Sequence, residues 1–161
     1  MKEAKNKRQK ANKQLRWMRL DNAAKIYPAV RRQDWSNVYR QSVTFKEDID
    51  IDILKSALNK TYVRFPSICA RLRKGLFWYY LQQLSSAPEI KEESSYPLTR
   101  MSKKETRKSA IRIIVYKKRL AIEIFHSLTD GNGAMVFLKT LAAEYLMQKY
   151  KCMGTAPTSI F

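Results

Sequence analysis

Histidine occurs once in these 161 residues, cysteine twice, glycine four times and proline five times, and 14 acidic side chains face 32 basic ones. Each scarcity excludes something. One histidine with Cys69 and Cys152 cannot complete a four-ligand structural zinc site, so no metal is expected. Two cysteines are too few for a disulfide scaffold, and they read as thiols of a reducing compartment. The basic N-terminus lacks the apolar stretch of a secretory signal. No run approaches the ~18–20 apolar residues that span a bilayer. The expectation is a soluble, cytoplasmic protein without a membrane span.

What is present suits one globular domain: 45% of residues are hydrophobic and 11% aromatic. The net charge of +18 is the anomaly. Lys2, Lys5, Lys7, Arg8, Lys10, Lys13, Arg16 and Arg19 oppose Glu3 alone at the start, and the remaining excess is spread along the chain. Such a balance attracts polyanions, whether nucleic acid, anionic lipid or phosphorylated small molecules, without choosing among them.

Residues 1–16 read as a basic flexible tail, 17–150 as one folded lobe and 151–161 as a frayed end. Asn37 to Phe45 alternates as a strand, with Tyr39, Gln41 and Val43 on one face. Ile51, Leu54, Leu58 and Tyr62 recur at helical spacing after Asp48 or Asp50, and Pro66 stops that helix near Phe65. The run Asp48-Ile-Asp-Ile-Asp52 invites a metal, but a cap favoured by the helix dipole explains it more simply. Leu76 to Leu81 is rich in β-formers and reads as a strand whose aromatics pack in the core. Ser85 to Ser109 reads as an irregular crossing. Ala110–Tyr116 and Leu120–Phe125 read as a hairpin around Lys117-Lys118-Arg119. Gly133 to Lys149 reads as a deeply packed helix with a narrow polar stripe. The fold class is α+β, a two-layer sandwich of a mixed sheet with packed helices.

The sole histidine, His126, stands in Phe-His-Ser-Leu-Thr-Asp-Gly, where the last strand pattern stops and the last helix begins. Imidazole is the side chain best suited to move a proton near neutral pH, and a strand end presents it at the rim of a sheet. This His-x-x-x-Asp-Gly order resembles the motif of the chloramphenicol acetyltransferase-like superfamily, with its peptide-synthetase condensation domains and acyl-CoA-dependent alcohol acyltransferases. Phe125 stands where many members have a first histidine. Tyr62-Val-Arg-Phe-Pro-Ser-Ile is similar to the family's Arg-His-Pro-like helix end. Gly75-Leu-Phe-Trp-Tyr-Tyr-Leu81 and the helix from Val136 resemble bacterial proteins of the alcohol acetyltransferase branch. The likeness runs from about Trp17 to Tyr150.

That resemblance implies an acyl-CoA-dependent O- or N-acetyltransferase lobe, with His126 the catalytic general base. The base takes a proton from a small alcohol or amine acceptor as it attacks the thioester. Acetyl-CoA or another acyl-CoA is the co-substrate, and no cofactor is permanently bound. Asp130 is implied to be structural, pairing with an arginine, and Gly131 to spare a crowded turn a side chain. The family's arginine after the Pro-containing stretch aligns with Cys69 or, shifted by two, with Arg71, which is favoured. Members of this branch have two lobes with a tunnel between them. One lobe is expected here, a truncated protein or one completed by a homo-oligomer. A different class remains open beside it: a non-catalytic basic protein contacting nucleic acid or another polyanion.

Overall fold

A computed structural model describes residues 16–20 and 37–152. Most of the expected basic tail, the segment 21–36 and the chain from 153 onward lie outside the described residues. Among the described residues, seven strands and three helices follow in chain order: β1 Trp17–Arg19, β2 Val38–Thr44, α1 Ile51–Thr61, β3 Ala70–Lys74, β4 Tyr79–Gln83, β5 Ile90–Glu92, α2 Lys103–Lys108, β6 Ile111–Tyr116, β7 Arg119–Phe125 and α3 Gly131–Cys152. The class is α+β, as the sequence pattern predicts.

A four-stranded mixed sheet ordered β2-β7-β6-β5 forms the centre, antiparallel except for β5 on β6. β6 and β7 are joined by Lys117-Lys118 alone, because Tyr116 already pairs with Arg119. Lys117 takes φ 49° to close that turn. One face of this sheet is apolar. Ile111, Ile113 and Val115 of β6 sit opposite Ile124, Ile122 and Leu120 of β7. They are buried with Leu54 and Leu58 of α1 and Phe137, Leu141 and Tyr145 of α3. Period-2 burial on the strands thus meets helical-period burial on the helices.

Helix α1 starts where expected. The Asp50 side chain accepts from the N–H groups of Asp52 and Ile53, which the first helical turn leaves unpaired. The Asp50 N–H donates to the Tyr145 hydroxyl, tying this helix start to α3. A 3-10 turn over Tyr62–Arg64 ends the segment before Pro66. Helix α3 is longer than its pattern suggests, running through Cys152 into the stretch expected to fray.

The second sheet, β1-β4-β3, departs from the sequence reading. β4 begins at Tyr79, not Leu76, and Leu76, Phe77 and Trp78 are an exposed hairpin tip instead of core. β3, with the sequence Ala-Arg-Leu-Arg-Lys, is a strand whose alternation is too short to stand out. The crossing from Ser85 to Ser109 contains β5 and the one-and-a-half-turn helix α2, capped by Ser102. Among the described residues no helix is long and apolar enough to cross a membrane.

The sheet's other face carries charge. Glu123 of β7 is 1% exposed, and its two oxygens meet Arg40 of β2 at 3.2 Å and Arg112 of β6 at 2.7 Å. Arg40 continues to Glu93, Arg112 to Glu105, and Arg119 to Glu93. The Leu98 N–H also donates to Glu123, so the irregular crossing is pinned over this cluster. Breaking a buried pair strands the remaining charges. Glu123→Ala is expected to cost roughly 3–5 kcal/mol in urea unfolding. Acidification tests the cluster's edge, because hydrogen bonds from Arg112 hold the Glu105 carboxyl below its ordinary value. That contribution is complete above the unfolded-chain value, about pH 4.3, and is lost as pH falls toward the lower folded-state value. Glu105→Gln should therefore flatten the loss of stability on acidification, read as urea midpoints across a pH series.

Candidate functional site

Strand β7 is buried along six successive residues up to Phe125, and its last cross-strand bond runs from the His126 N–H to the Asn37 carbonyl at 3.0 Å. Asn37 takes φ 45°, a left-handed conformation that asparagine tolerates well. His126 is half-buried at the first residue of the turn. It is neither sealed in the core nor carried on a helix, and it stands where β7 ends. The Tyr39 ring lies against it, with centroids 4.6 Å apart and planes tilted by 49°.

Tyr39 also holds the turn beyond the histidine. Its hydroxyl donates toward the carbonyls of Thr129 at 3.0 Å and Asp130 at 2.8 Å. Burial first, and the Asp130 charge second, push the phenol's pKa upward, so it remains a donor. Two residues along β2, Gln41 Nε2 donates to the Gly131 carbonyl at 2.7 Å. The two side chains share one strand face by period-2 alternation. Together they grip the backbone on which the motif lies.

Asp130 folds back onto its own helix. Its Oδ1 accepts the Gly133 N–H at 2.8 Å, and its carbonyl accepts the Ala134 N–H at 3.1 Å, the geometry of an N-cap. The implied arginine partner is a correction. Among the described residues Asp130 makes no ion pair, and Arg71 on β3 bonds Gln82 through Nε at 3.0 Å. Cys69, the other aligned position, is a fully buried free thiol whose pKa burial pushes up to about 12. A neutral thiol there supplies no charge to the aspartate, and the cap takes over the role of fixing it.

The glycines exchange roles as well. A Cβ on Gly131 would meet only Gln41 Nε2, at an ordinary 3.7 Å, whereas a Cβ on Gly133 would overlap Thr129 Oγ1. Gly133 is therefore the position that the tight turn requires. Sequence reasoning named His126, Asp130 and Gly131 but missed Tyr39, Gln41 and Gly133 as their supports. Only the alternation of β2 and the spacing of Gly133 from Asp130 carried any signal for them.

Beside the motif, an apolar groove of about 400 Å³ runs between β2 and α3, bordered by Val43, Phe45, Met135, Leu138 and Leu146. His126 is not among its lining residues. In this chain the imidazole stands at a rim, and the groove follows one helical turn later.

Known structures share this fold. The starter condensation domain of rhizomide synthetase RzmA superposes with a TM-score of 0.66 at 14% identity, over 89% of this chain and 40% of that one. Polyketide synthase associated protein 5 from Mycobacterium tuberculosis gives 0.57 at 14% identity, over 88% and 35%. The tallysomycin biosynthesis protein TlmII gives 0.61 at 10% identity, over 83% and 39%. No protein-family model matches the sequence. No curated protein matches it either. At these identities the likeness is one of fold, shared with the condensation-domain structure. The chain spans about 40% of the first of these structures, a share consistent with one lobe.

The cap can be separated from the charge by substitution. Asp130→Ala should lower stability by about 1 kcal/mol, whereas Asp130→Asn, which caps as well without charge, should stay close to the parent. Urea midpoints of the two variants decide; equal losses would mean that an ion pair and not a cap holds the turn.

Proposed function

We propose that this chain is an acyl-CoA-dependent acyltransferase lobe in which His126 is the general base. One observation carries the reading. The only imidazole of the chain stands half-buried at the end of the central strand, over a turn fixed from both sides by Tyr39, Gln41 and the Asp130 cap. A base must hold its ring still and yet be reachable, and this placement meets both needs.

The step follows from the chemistry of an imidazole. An acceptor hydroxyl or amine attacks the thioester carbonyl while the ring removes its proton. The acceptor–acyl bond forms, the carbon–sulfur bond breaks, and the ring returns the proton to the departing CoA thiolate. No acyl-enzyme is formed, so no nucleophilic side chain is needed, which agrees with a Cys69 that is buried and held as a thiol. The fold likeness adds support on the substrate side: variants of the rhizomide synthetase starter condensation domain are known in complex with C8-CoA, and with C8-CoA and Leu-SNAC. Since the chain spans about 40% of those proteins, the opposite wall of the site would come from a further lobe or a second copy.

Thiol release from acetyl-CoA and C8-CoA, with a panel of small alcohols and amines, tests the reading. Acceptor-dependent release is expected, and His126→Ala should reduce kcat/KM by roughly 10²–10⁴-fold, the usual worth of a general base. Release that survives His126→Ala removes the base. No release with any pair, together with no acyl-CoA binding in equilibrium dialysis, favours the non-catalytic polyanion-binding class instead.

A further inference from the structure

The tip of the β3–β4 hairpin is the least expected surface of the molecule. Leu76, Phe77 and Trp78 follow one another there at 86%, 81% and 58% exposure. The Gly75 N–H donates to the Trp78 carbonyl at 2.7 Å, and a Cβ on Gly75 would press on that same oxygen at 3.1 Å. The tip is thus a closed turn that holds its apolar side chains outward. Three consecutive large apolar residues in water are costly unless something covers them.

Cations surround this tip on both faces of the hairpin. Opposed residues of an antiparallel pair share a face, so Arg71, Arg73, Gln82 and Tyr80 lie together, joined across β1 by Trp17 and Arg19. Arg71 and Arg73 both donate through Nε to a single neutral acceptor, Gln82 Oε1, at 3.0 and 3.2 Å. Among the described residues neither arginine has a carboxylate partner. On the opposite face Lys74 gathers with Lys103 and Arg107 of α2. Among the described residues, carboxylate partners go to Arg40, Arg112 and Arg119 around Glu93, Glu105 and Glu123. Here two guanidinium groups are left side by side without a counterion.

The geometry points to a peripheral membrane contact: the Leu76–Trp78 tip enters the interfacial region of an anionic phospholipid surface, and the collar of arginine and lysine binds headgroup phosphates. Shape and charge select this partner. A convex apolar tip fits a deformable bilayer interface, where Trp side chains are favoured. Phosphate is the counterion that the Arg71–Arg73 pair lacks, and guanidinium binds it by paired N–H donors. A single-stranded nucleic acid would use the arginines with Trp17 and Tyr80 but would leave Leu76 and Phe77 bare. The inference does not depend on the acyltransferase reading.

Co-sedimentation of the full chain with vesicles tests it. Binding is expected to equimolar phosphatidylcholine–phosphatidylglycerol vesicles, weakening with salt, and not to phosphatidylcholine alone. The double change Leu76→Ser with Phe77→Ser should weaken anionic-vesicle binding roughly tenfold or more. Leu76→Ile with Phe77→Leu should retain it. Arg71→Gln with Arg73→Gln should weaken it by about fivefold per charge removed. In a chain with Trp17→Phe and Trp35→Phe, Trp78 emission should shift to the blue on adding the anionic vesicles. Unchanged urea midpoints confirm that the variants fold. Anionic-vesicle binding that is indifferent to the serine pair would overturn the tip's role and leave only bulk charge. Absence of vesicle binding, or oligonucleotide binding lost in the arginine variant while vesicles stay unbound, would overturn the proposal outright.

Discussion

The register of β2 on β7 is the constraint from which the motif's geometry follows. β7 has a hydrogen-bonded neighbour on each side and helices on one face, so its own position is fixed by packing. Among the described residues β2 has no strand at its outer edge, and a slip by one residue would turn Tyr39 and Gln41 away from the turn that they hold. Two independent sets of contacts resist that slip. On the helix face Val43 lies opposite Leu120 and joins the core, and on the other face Arg40 lies opposite Glu123. Apolar burial and a buried ion pair therefore specify one pairing, and the histidine turn inherits its precision from both.

Much of this was legible along the chain. The β6–β7 hairpin announced itself by apolar strands around Lys117-Lys118-Arg119, α1 by an aspartate cap at Asp48 or Asp50 and its helical period, and α3 by an apolar surface that covers most of its circumference. The His-x-x-x-Asp-Gly placement was legible because strand and helix patterns meet at it. The misses have physical reasons. Glu123 falls on the polar alternate of β7 and reads as solvent-facing, and nothing local tells that two arginines from neighbouring strands wait opposite it. β3 alternates only two apolar residues with three cations, so charge hides its period. Leu76 to Trp78 has the composition of a strand, yet Gly75 closes a turn there. Composition measures what a segment would do in a core, not whether it reaches one.

The site support was the harder part to foresee. Tyr39 and Gln41 stand about ninety residues before the turn that they bind, and their role arises only once β2 pairs with β7. Asp130 had an arginine assigned by resemblance, whereas a helix start supplies a nearer and simpler partner in the Gly133 N–H. A local cap thus fixes Asp130 without an ion pair, and the buried thiol at Cys69 introduces no unpaired cation into the core.

Cys69 also gives the molecule a built-in reporter. An alkylating reagent attacks thiolate, and this sulfur is both shielded and held in its protonated form, so the folded state is nearly inert. Any modification that maps to this residue must then pass through an opening of the two sheets where they meet, at the Ala70–Ala110 backbone bond next to it. The speed of labelling becomes a clock for how often that seam parts.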